Sequence, residues 1–225
     1  MHDPPVRDDR SQPPAAPARA VIFDLGGVVL GSSLHAIAAF ERAHGLPEGL
    51  VNRVVVAGAP DGAWSRLERG ELAMDEFYDA FGRECAAAGH RVEARALFAA
   101  MGEAAQPRPR MIAALGRLRS AGLRLAALTN NWASDEAGAE DGTRALAAHF
   151  DVFVESVVEG LRKPDPRIYE LVCHRLRVAP HQAIFLDDIG ANLKPARAMG
   201  MTTIRVTDPD EALEQLSRAV GVDLD

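Results

Sequence analysis

Two adjacent carboxylates, Asp187 and Asp188, close the apolar run Ala183-Ile184-Phe185-Leu186. Neighbouring carboxylates repel one another unless a cation or several donors sit between them. Magnesium suits such a place, since it is held by one or two carboxylates together with water and substrate phosphate. The competing reading makes Asp188 the N-cap of a helix that begins near Gly190. A third carboxylate, Asp24, ends the apolar run Ala20-Val21-Ile22-Phe23 and is followed by Leu25, Gly26 and Gly27. Such runs read as buried strands of a parallel sheet, and open α/β sheets take ligands beyond the carboxyl ends of their strands. Asp24 with one or both of Asp187 and Asp188 therefore makes a magnesium site. Two further stretches fit a phosphate beside it. Leu128-Thr129-Asn130-Asn131 follows a strand and offers a hydroxyl, an amide and backbone N–H groups to phosphoryl oxygens, although the same residues also form ordinary turns. Gly160-Leu161-Arg162-Lys163-Pro164-Asp165-Pro166 presents Lys163 on a rigid loop, either as a compact positive charge beside a phosphate or as a solvated surface lysine.

The elements that must position these residues follow from periodicity. Ala20–Phe23, Leu123–Leu128, Val152–Glu155, Ala183–Leu186 and Thr203–Val206 read as strands. Between them Met111, Ile112, Leu115 and Leu118 make a helical stripe that stops near Gly122, and Ile168, Leu171, Val172 and Leu176 make another. Asp208-Pro209-Asp210-Glu211 opens the last helix with acids at its positive end. Alternating strand and helix predicts a Rossmann-like parallel sheet with helices on both faces, built from residues 19–30 and 107–225. Residues 31–106 give helix signals and no strand: Pro47-Glu48 opens one helix, Ser65-Arg66-Leu67-Glu68 reads as a capping box, and Phe77, Phe81 and Cys85 repeat along one face. This segment is expected to be an inserted all-helical cap. Residues 1–18, rich in proline and charge, are expected to be a disordered tail.

Composition narrows the function classes. Of the 225 residues 48% are hydrophobic, enough for a sizeable core, and the formal net charge of −7 comes with no basic block, which argues against a nucleic-acid partner. Cys85 and Cys173 lack the spacing of a metal or redox motif, so both are expected to be buried or idle thiols. No run approaches the roughly 18 apolar residues of a membrane span, and no signal peptide is evident, so the cytoplasm is the expected location.

In their order along the chain, strand-Asp24, strand-Thr129, loop-Lys163 and strand-Asp187-Asp188 resemble the four motifs of the haloacid dehalogenase-like hydrolase superfamily. The resemblance covers residues 19–225, with the helical cap inserted after the first motif. Phe185 to Arg197 is similar to the N-terminal phosphatase domain of soluble epoxide hydrolases. Arg19 to Val28 and Gly160 to Tyr169 are similar to the phosphatase-like domain of multidomain acyl-CoA dehydrogenases. The resemblance implies a hydrolase of small phosphorylated metabolites in which Asp24 attacks phosphorus and forms an aspartyl-phosphate that water then cleaves. It implies Mg2+ held by Asp24, the Gly26 carbonyl, Asp188 and the phosphate, with Asp187 either on a metal-bound water or holding Lys163, and Asn192 behind them. Thr129, Asn130 and Lys163 would bind phosphoryl oxygens, and Trp64 and Arg66 of the cap are candidates for substrate contact beside a reading in which Trp64 packs within the cap and Arg66 is solvated. One position departs from the pattern: Gly26 stands where the superfamily's phosphatases carry a general acid-base aspartate. Two other functions stay open, the first of them on that account. One is a phosphoester-binding domain with impaired turnover. The other is a 2-haloacid dehalogenase, which uses the same aspartate without a metal.

Overall fold

The computed structural model describes residues 18–133 and 146–224. The expected disordered tail lies, but for Ala18, outside the described residues. Five strands form one parallel sheet: β1 (Ala20–Phe23), β2 (Arg124–Thr129), β3 (Val152–Glu155), β4 (Ala183–Asp187) and β5 (Thr202–Arg205), in the order β3-β2-β1-β4-β5. The second and fifth strands are displaced by a residue from the sequence expectation. Register decides what this sheet can do. Phe23 lies beside Ala127 on β2 and Leu186 on β4, so Asp24, Thr129 and Asp187 emerge on one edge, with the Asp24 N–H donating to the Leu186 carbonyl at 2.9 Å.

Side chains of β1 alternate between the two faces of the sheet. Val21 and Phe23 join a core with α6 (Pro109–Ser120) and α10 (Pro209–Val220). Ala20 and Ile22 join another with α8 (Pro166–Leu176) and α9 (Gly190–Ala198). Burial on both faces explains why the strand is apolar throughout rather than alternating with polar residues. The short α7 (Ser156–Glu159) follows β3. Both cysteines are buried free thiols, and burial pushes each up to about 11. No described helix is long and apolar enough to cross a membrane.

Five helices, α1 (Ser33–Ala43), α2 (Leu50–Gly58), α3 (Ala63–Glu68), α4 (Met74–Ala87) and α5 (Ala94–Ala104), stand between β1 and α6 and share a hydrophobic core of their own. Its centre is aromatic. Trp64 packs edge-on against Phe77 and Phe81, and Phe98 lies 5.2 Å from Trp64 by ring centroid. Two sequence expectations fail here. The helix expected at Pro47-Glu48 starts at Leu50, because buried Glu41 of α1 accepts the N–H groups of Gly49 and Val51 at 2.6 and 2.8 Å. The expected capping box at Ser65–Glu68 lies inside α3. Glu84 of α4 caps that helix instead, accepting the Ala63 N–H at 2.7 Å. Caps from distant glutamates satisfy the same orphan donors as local ones, and no local pattern reveals them.

Two crossings join the helical unit to the sheet, and they run side by side. Leu30 bridges Pro107, Gly31 donates to the Gln106 carbonyl at 2.9 Å, and Arg108 donates through its side chain to the Leu30 carbonyl at 2.9 Å. A Cβ at Gly31 would fall 1.9 Å from the Ala104 carbonyl oxygen, whereas one at Gly26 would meet nothing nearer than the Ser33 hydroxyl at 3.6 Å. Gly31→Ala is therefore expected to destabilise by about 1–3 kcal/mol, the usual range for overpacking. Gly26→Ala should stay close to wild type. Thermal unfolding of the pair checks this, and equal midpoints would overturn the steric assignment.

Candidate active site

Asp24 accepts the N–H of Leu25 at 2.7 Å on Oδ1, and the Lys163 ammonium stands 2.8 Å from the same oxygen. Lys163 is 1% exposed and reaches Asp187 Oδ2 at 2.7 Å, so the lysine is a buried bridge between two strand ends and not a solvated one. Asp187 is fully enclosed. Its Oδ1 accepts from the Ile189 N–H at 2.8 Å, and the Asn192 amide donates to both its oxygens at 3.1 Å. Of the two contacts expected of Asp187, the one with Lys163 is present. Asn192 is itself fixed by Tyr169, whose hydroxyl donates to its carbonyl at 2.7 Å. Burial alone would lower the Lys163 pKa, but Asp187 and Asp24 outweigh it and keep the ammonium charged. Burial drives the Asp24 carboxyl well above the ordinary range, Lys163 opposes the shift, and Asp187 and Asp188 add to it.

Asp188 completes the carboxylate cluster. One oxygen from each of Asp24, Asp187 and Asp188 lies within 4.8 Å of the other two. Asp188 does not cap the helix after it, since α9 has Ile189 at its N-cap with no side-chain bond. It lies instead against Gly27, where a Cβ would come 2.0 Å from Asp188 Oδ2 and where φ is +77°. Glycine is required there by both space and backbone. Three carboxylates facing one ammonium leave an excess of two negative charges. That excess and the oxygen-only donor set fit a hard divalent cation such as magnesium.

Around this centre the structure brings some of the expected residues and moves others. Thr129 is buried at the end of β2. The Asn130 side chain clasps the Lys163 peptide: it accepts the Lys163 N–H at 2.8 Å and donates to the Lys163 carbonyl at 3.0 Å. Trp64 sits in the aromatic core of the helical unit, and Arg66 is 43% exposed at its side chain and lies 3.7 Å from Glu71. The residue that bridges the two units is Glu68, which sequence reasoning had assigned to a local cap. Glu68 is buried, takes Arg162 at 2.5 Å and Asn130 at 3.3 Å on one oxygen, and takes the Trp64 indole N–H at 3.1 Å on the other. Trp132, just past Asn131, returns the contact by packing 4.8 Å from Phe98 by ring centroid. The available signal for Glu68 was its place four residues after Trp64, on the same face of the helix. Its partners lie 62 and 94 residues away, too far for any local pattern.

Residues 18–200 match the haloacid dehalogenase-like hydrolase family. The chain is 37% identical over 209 residues to Acyl-CoA dehydrogenase family member 10 of Mus musculus, covering 92% of this chain and 19% of that protein. It is 38% identical over 221 residues to Bifunctional epoxide hydrolase 2 of Sus scrofa, covering 92% of this chain and 39% of that protein. The chain thus spans less than two-fifths of either relative. Sesquiterpene phosphatase astK of Aspergillus oryzae is 29% identical over 161 residues, covering 70% of this chain and 79% of that one. Among solved structures, a predicted HAD-like family hydrolase from Porphyromonas gingivalis superposes with a TM-score of 0.66 at 23% identity, covering 90% of this chain and 98% of that one. A HAD family enzyme from Bacteroides thetaiotaomicron, solved with magnesium and inorganic phosphate, gives 0.57 at 19% identity over 84% and 93%.

Two measurements test this geometry. Burial, and then Asp187, push the Asp188 carboxyl up to about 6. Its folded pKa is above its unfolded one, so it costs nothing below about pH 4 and the full penalty above pH 6. Asp188→Asn should then stabilise the metal-free protein at pH 7, on the order of 2–3 kcal/mol, and have little effect at pH 4. Denaturant unfolding at the two pH values checks it, and equal shifts would overturn the reading. Glu68→Ala should cost about 3 kcal/mol by leaving Arg162 and the Trp64 N–H without their partner. Trp64 and Trp132 are the two tryptophans of the chain and both flank this contact. Their fluorescence should report loosening there ahead of global unfolding; an unchanged transition would remove the bridging role.

Proposed function

This chain belongs to the haloacid dehalogenase-like hydrolases, and from that premise we propose that it is a magnesium-dependent phosphomonoester hydrolase whose nucleophile is Asp24. The observation that carries the proposal is the charge count at the strand ends, three gathered carboxylates against one buried ammonium. Asp24 and Asp188, with the Gly26 carbonyl, would hold the ion, and magnesium supplies there the positive charge that lets an anionic carboxylate meet an anionic phosphate. A metal-free dehalogenase gains nothing from concentrating carboxylates in this way. Repulsion among them would oppose the ionised nucleophile it needs.

The roles of the remaining groups follow from which atoms are already engaged. Asp24 Oδ1 is taken by Leu25 and Lys163, whereas Oδ2 accepts no hydrogen bond among the described residues and is left for attack or ligation. In the first step an Asp24 oxygen forms a bond to phosphorus while the bond to the leaving-group oxygen breaks, and that oxygen leaves as an anion that takes its proton from solvent water. In the second, water adds to phosphorus, the acyl–phosphate bond breaks, and inorganic phosphate departs with Asp24 restored as carboxylate. Lys163 stabilises charge on the phosphoryl oxygens from its fixed place between Asp24 and Asp187. The Thr129 hydroxyl and the Asn130 N–H are the complementary donors, since the Asn131 N–H already donates to the Ser156 hydroxyl at 2.9 Å. The Asn130 side chain serves by holding the Lys163 loop. The helical unit acts as the cap, with Glu68 as the joint through which its closure positions Asn130, Arg162 and Lys163.

Gly26 supports a preference for phosphates with good leaving groups, because no carboxyl stands there to protonate the departing oxygen. It also gives the second reading, a phosphoester-binding domain with impaired turnover, a specific basis. The test is phosphate release from p-nitrophenyl phosphate and a panel of anomeric, aryl, alkyl and isoprenoid phosphates. Release is expected with magnesium, and is expected to vanish with EDTA or in Asp24→Asn. Position 26 has room for a side chain, so Gly26→Asp should raise turnover of alkyl phosphates by roughly tenfold or more, within the usual range for general acid catalysis. Magnesium-dependent phosphate binding without release in wild type, with release in Gly26→Asp, selects the binding domain. Chelator-insensitive chloride release from chloroacetate overturns both.

A further inference from the structure

At the opposite edge of the sheet, where β2 and β3 begin, the surface opens into a cleft of about 500 Å³ lined by Arg119, Arg124, Arg175 and Arg177. Asp151 is the one carboxylate lining it among the described residues. Four arginines in one cleft are unexpected in a chain whose formal charge is −7. What holds each guanidinium is more informative. Arg175 is neutralised by a bidentate pair with Glu159 at 2.7 and 2.9 Å. Arg124 donates to the Leu176 carbonyl, and Arg119 to the Ala148 carbonyl at 3.3 Å. Carbonyls orient a guanidinium without cancelling its charge. Asp151 Oδ1 stands 3.9 Å from Arg119, while Oδ2 accepts the Leu125 N–H at 2.8 Å. Arg177 has no side-chain partner among the described residues. Three guanidinium charges thus share one carboxylate at the edge of bonding distance.

The backbone adds an independent observation. Arg177 caps α8 with φ of 53° and is the one residue other than glycine in the left-handed region among those described. A side chain there costs on the order of 1 kcal/mol that glycine avoids. The helix dipole favours cations in the last turns of α6 and α8, which accounts for Arg119 and Arg175. It accounts likewise for Arg124, which opens a strand but donates to the Leu176 carbonyl at the end of α8. It does not account for an arginine at the position where glycine is least strained.

We propose that this cleft is a binding site for a compact polyanion, such as a small molecule bearing two phosphates, remote from the catalytic residues. Three guanidinium forks, two of them oriented by carbonyls, with one weak counter-charge match closely spaced phosphate groups, which arginine binds in planar, bidentate fashion. Arg124 lies at the start of β2 and Thr129 at its end, so the two sites are separated by the length of that strand, roughly 17 Å. An occupant would tie together α6, β2 and α8.

Inorganic pyrophosphate is the probe, titrated calorimetrically into the full chain in EDTA, so that the carboxylate cluster has no metal with which to recruit it. Wild type and Asp24→Asn should bind one equivalent with equal affinity. Arg177→Gly should weaken binding at least tenfold while unfolding at the same temperature or above, because it removes the φ strain. That combination separates lost binding from lost folding. Arg119→Ala with Arg177→Gly should abolish saturation. Equal binding in all variants, loss of binding in Asp24→Asn alone, or no saturable binding to wild type at millimolar pyrophosphate would each overturn the proposal.

Discussion

Mutual repulsion of Asp24, Asp187 and Asp188 is the constraint around which the rest of this molecule is arranged. A parallel sheet brings strand ends together whether or not their residues tolerate one another, and here the register sets two acids on neighbouring strands with a third beside them. Left alone, such carboxylates would protonate or push the loops apart. Lys163 opposes this by inserting a buried ammonium between Asp24 and Asp187. Several residues around the centre fix that lysine or what it touches. Asn130 holds its peptide, Asn192 and the Ile189 N–H satisfy Asp187, and Tyr169 holds Asn192. Breaking such a pair leaves an uncompensated buried charge, which is why one lysine needs so many supports. Asp188, less enclosed and with no cap to make, keeps an unneutralised charge that suits a divalent ion.

The helical unit is connected to this arrangement through polar and aromatic contacts of opposite direction. Glu68 passes from the helices into the sheet's loops, while Trp132 passes from the loop after β2 into the helical aromatic core. Each makes its neighbour's place depend on the two units being together. Burial raises the Glu68 carboxyl, and Arg162 opposes the rise, so the contact is strongest when both are desolvated as a pair. A separation of the units would return Glu68 and Arg162 to water, at the expense of the clasp on the Lys163 loop. Closure and organisation of the cationic side of the site are in this sense one event.

Legibility in the sequence tracked the range of the interactions. β1, β3 and the helical stripe of α6 were readable because burial on a sheet face or helix face imposes a period on nearby residues. The acids at strand ends were readable because strand direction in an α/β sheet fixes which end meets ligand. Resemblance to a known superfamily added the order of the motifs and the reading of Gly26. The starts of α2 and α3 were not readable, because Glu41 and Glu84 cap them across the fold and the local residues carry no trace of it. Glu68 was misassigned for a related reason: serine followed three residues later by glutamate is the pattern of a capping box, and nothing nearby distinguishes a glutamate that turns inward to Arg162. The arginine cleft draws on the end of α6, the start of β2 and the end of α8, so it exists only once the sheet has formed.

Gly26 and Gly27, adjacent in the chain, have different physical reasons to be glycine, and the difference bears on how the site came to be as it is. Gly27 has φ of +77° and no room for a Cβ beside Asp188. Any other residue there would displace one of the acids. Gly26 has φ of −62°, open to every residue, and space ahead of its α-carbon as far as Ser33. Nothing in the backbone or the packing demands glycine at position 26. An absent side chain at a place that accommodates one removes a proton donor and a negative charge from a cluster already in excess of negative charge. With a fourth carboxylate beside Asp24, repulsion on that group would grow. On the proposed mechanism the glycine exchanges assistance to the leaving group for a less repelled Asp24, an exchange that would favour substrates whose leaving oxygen needs little protonation.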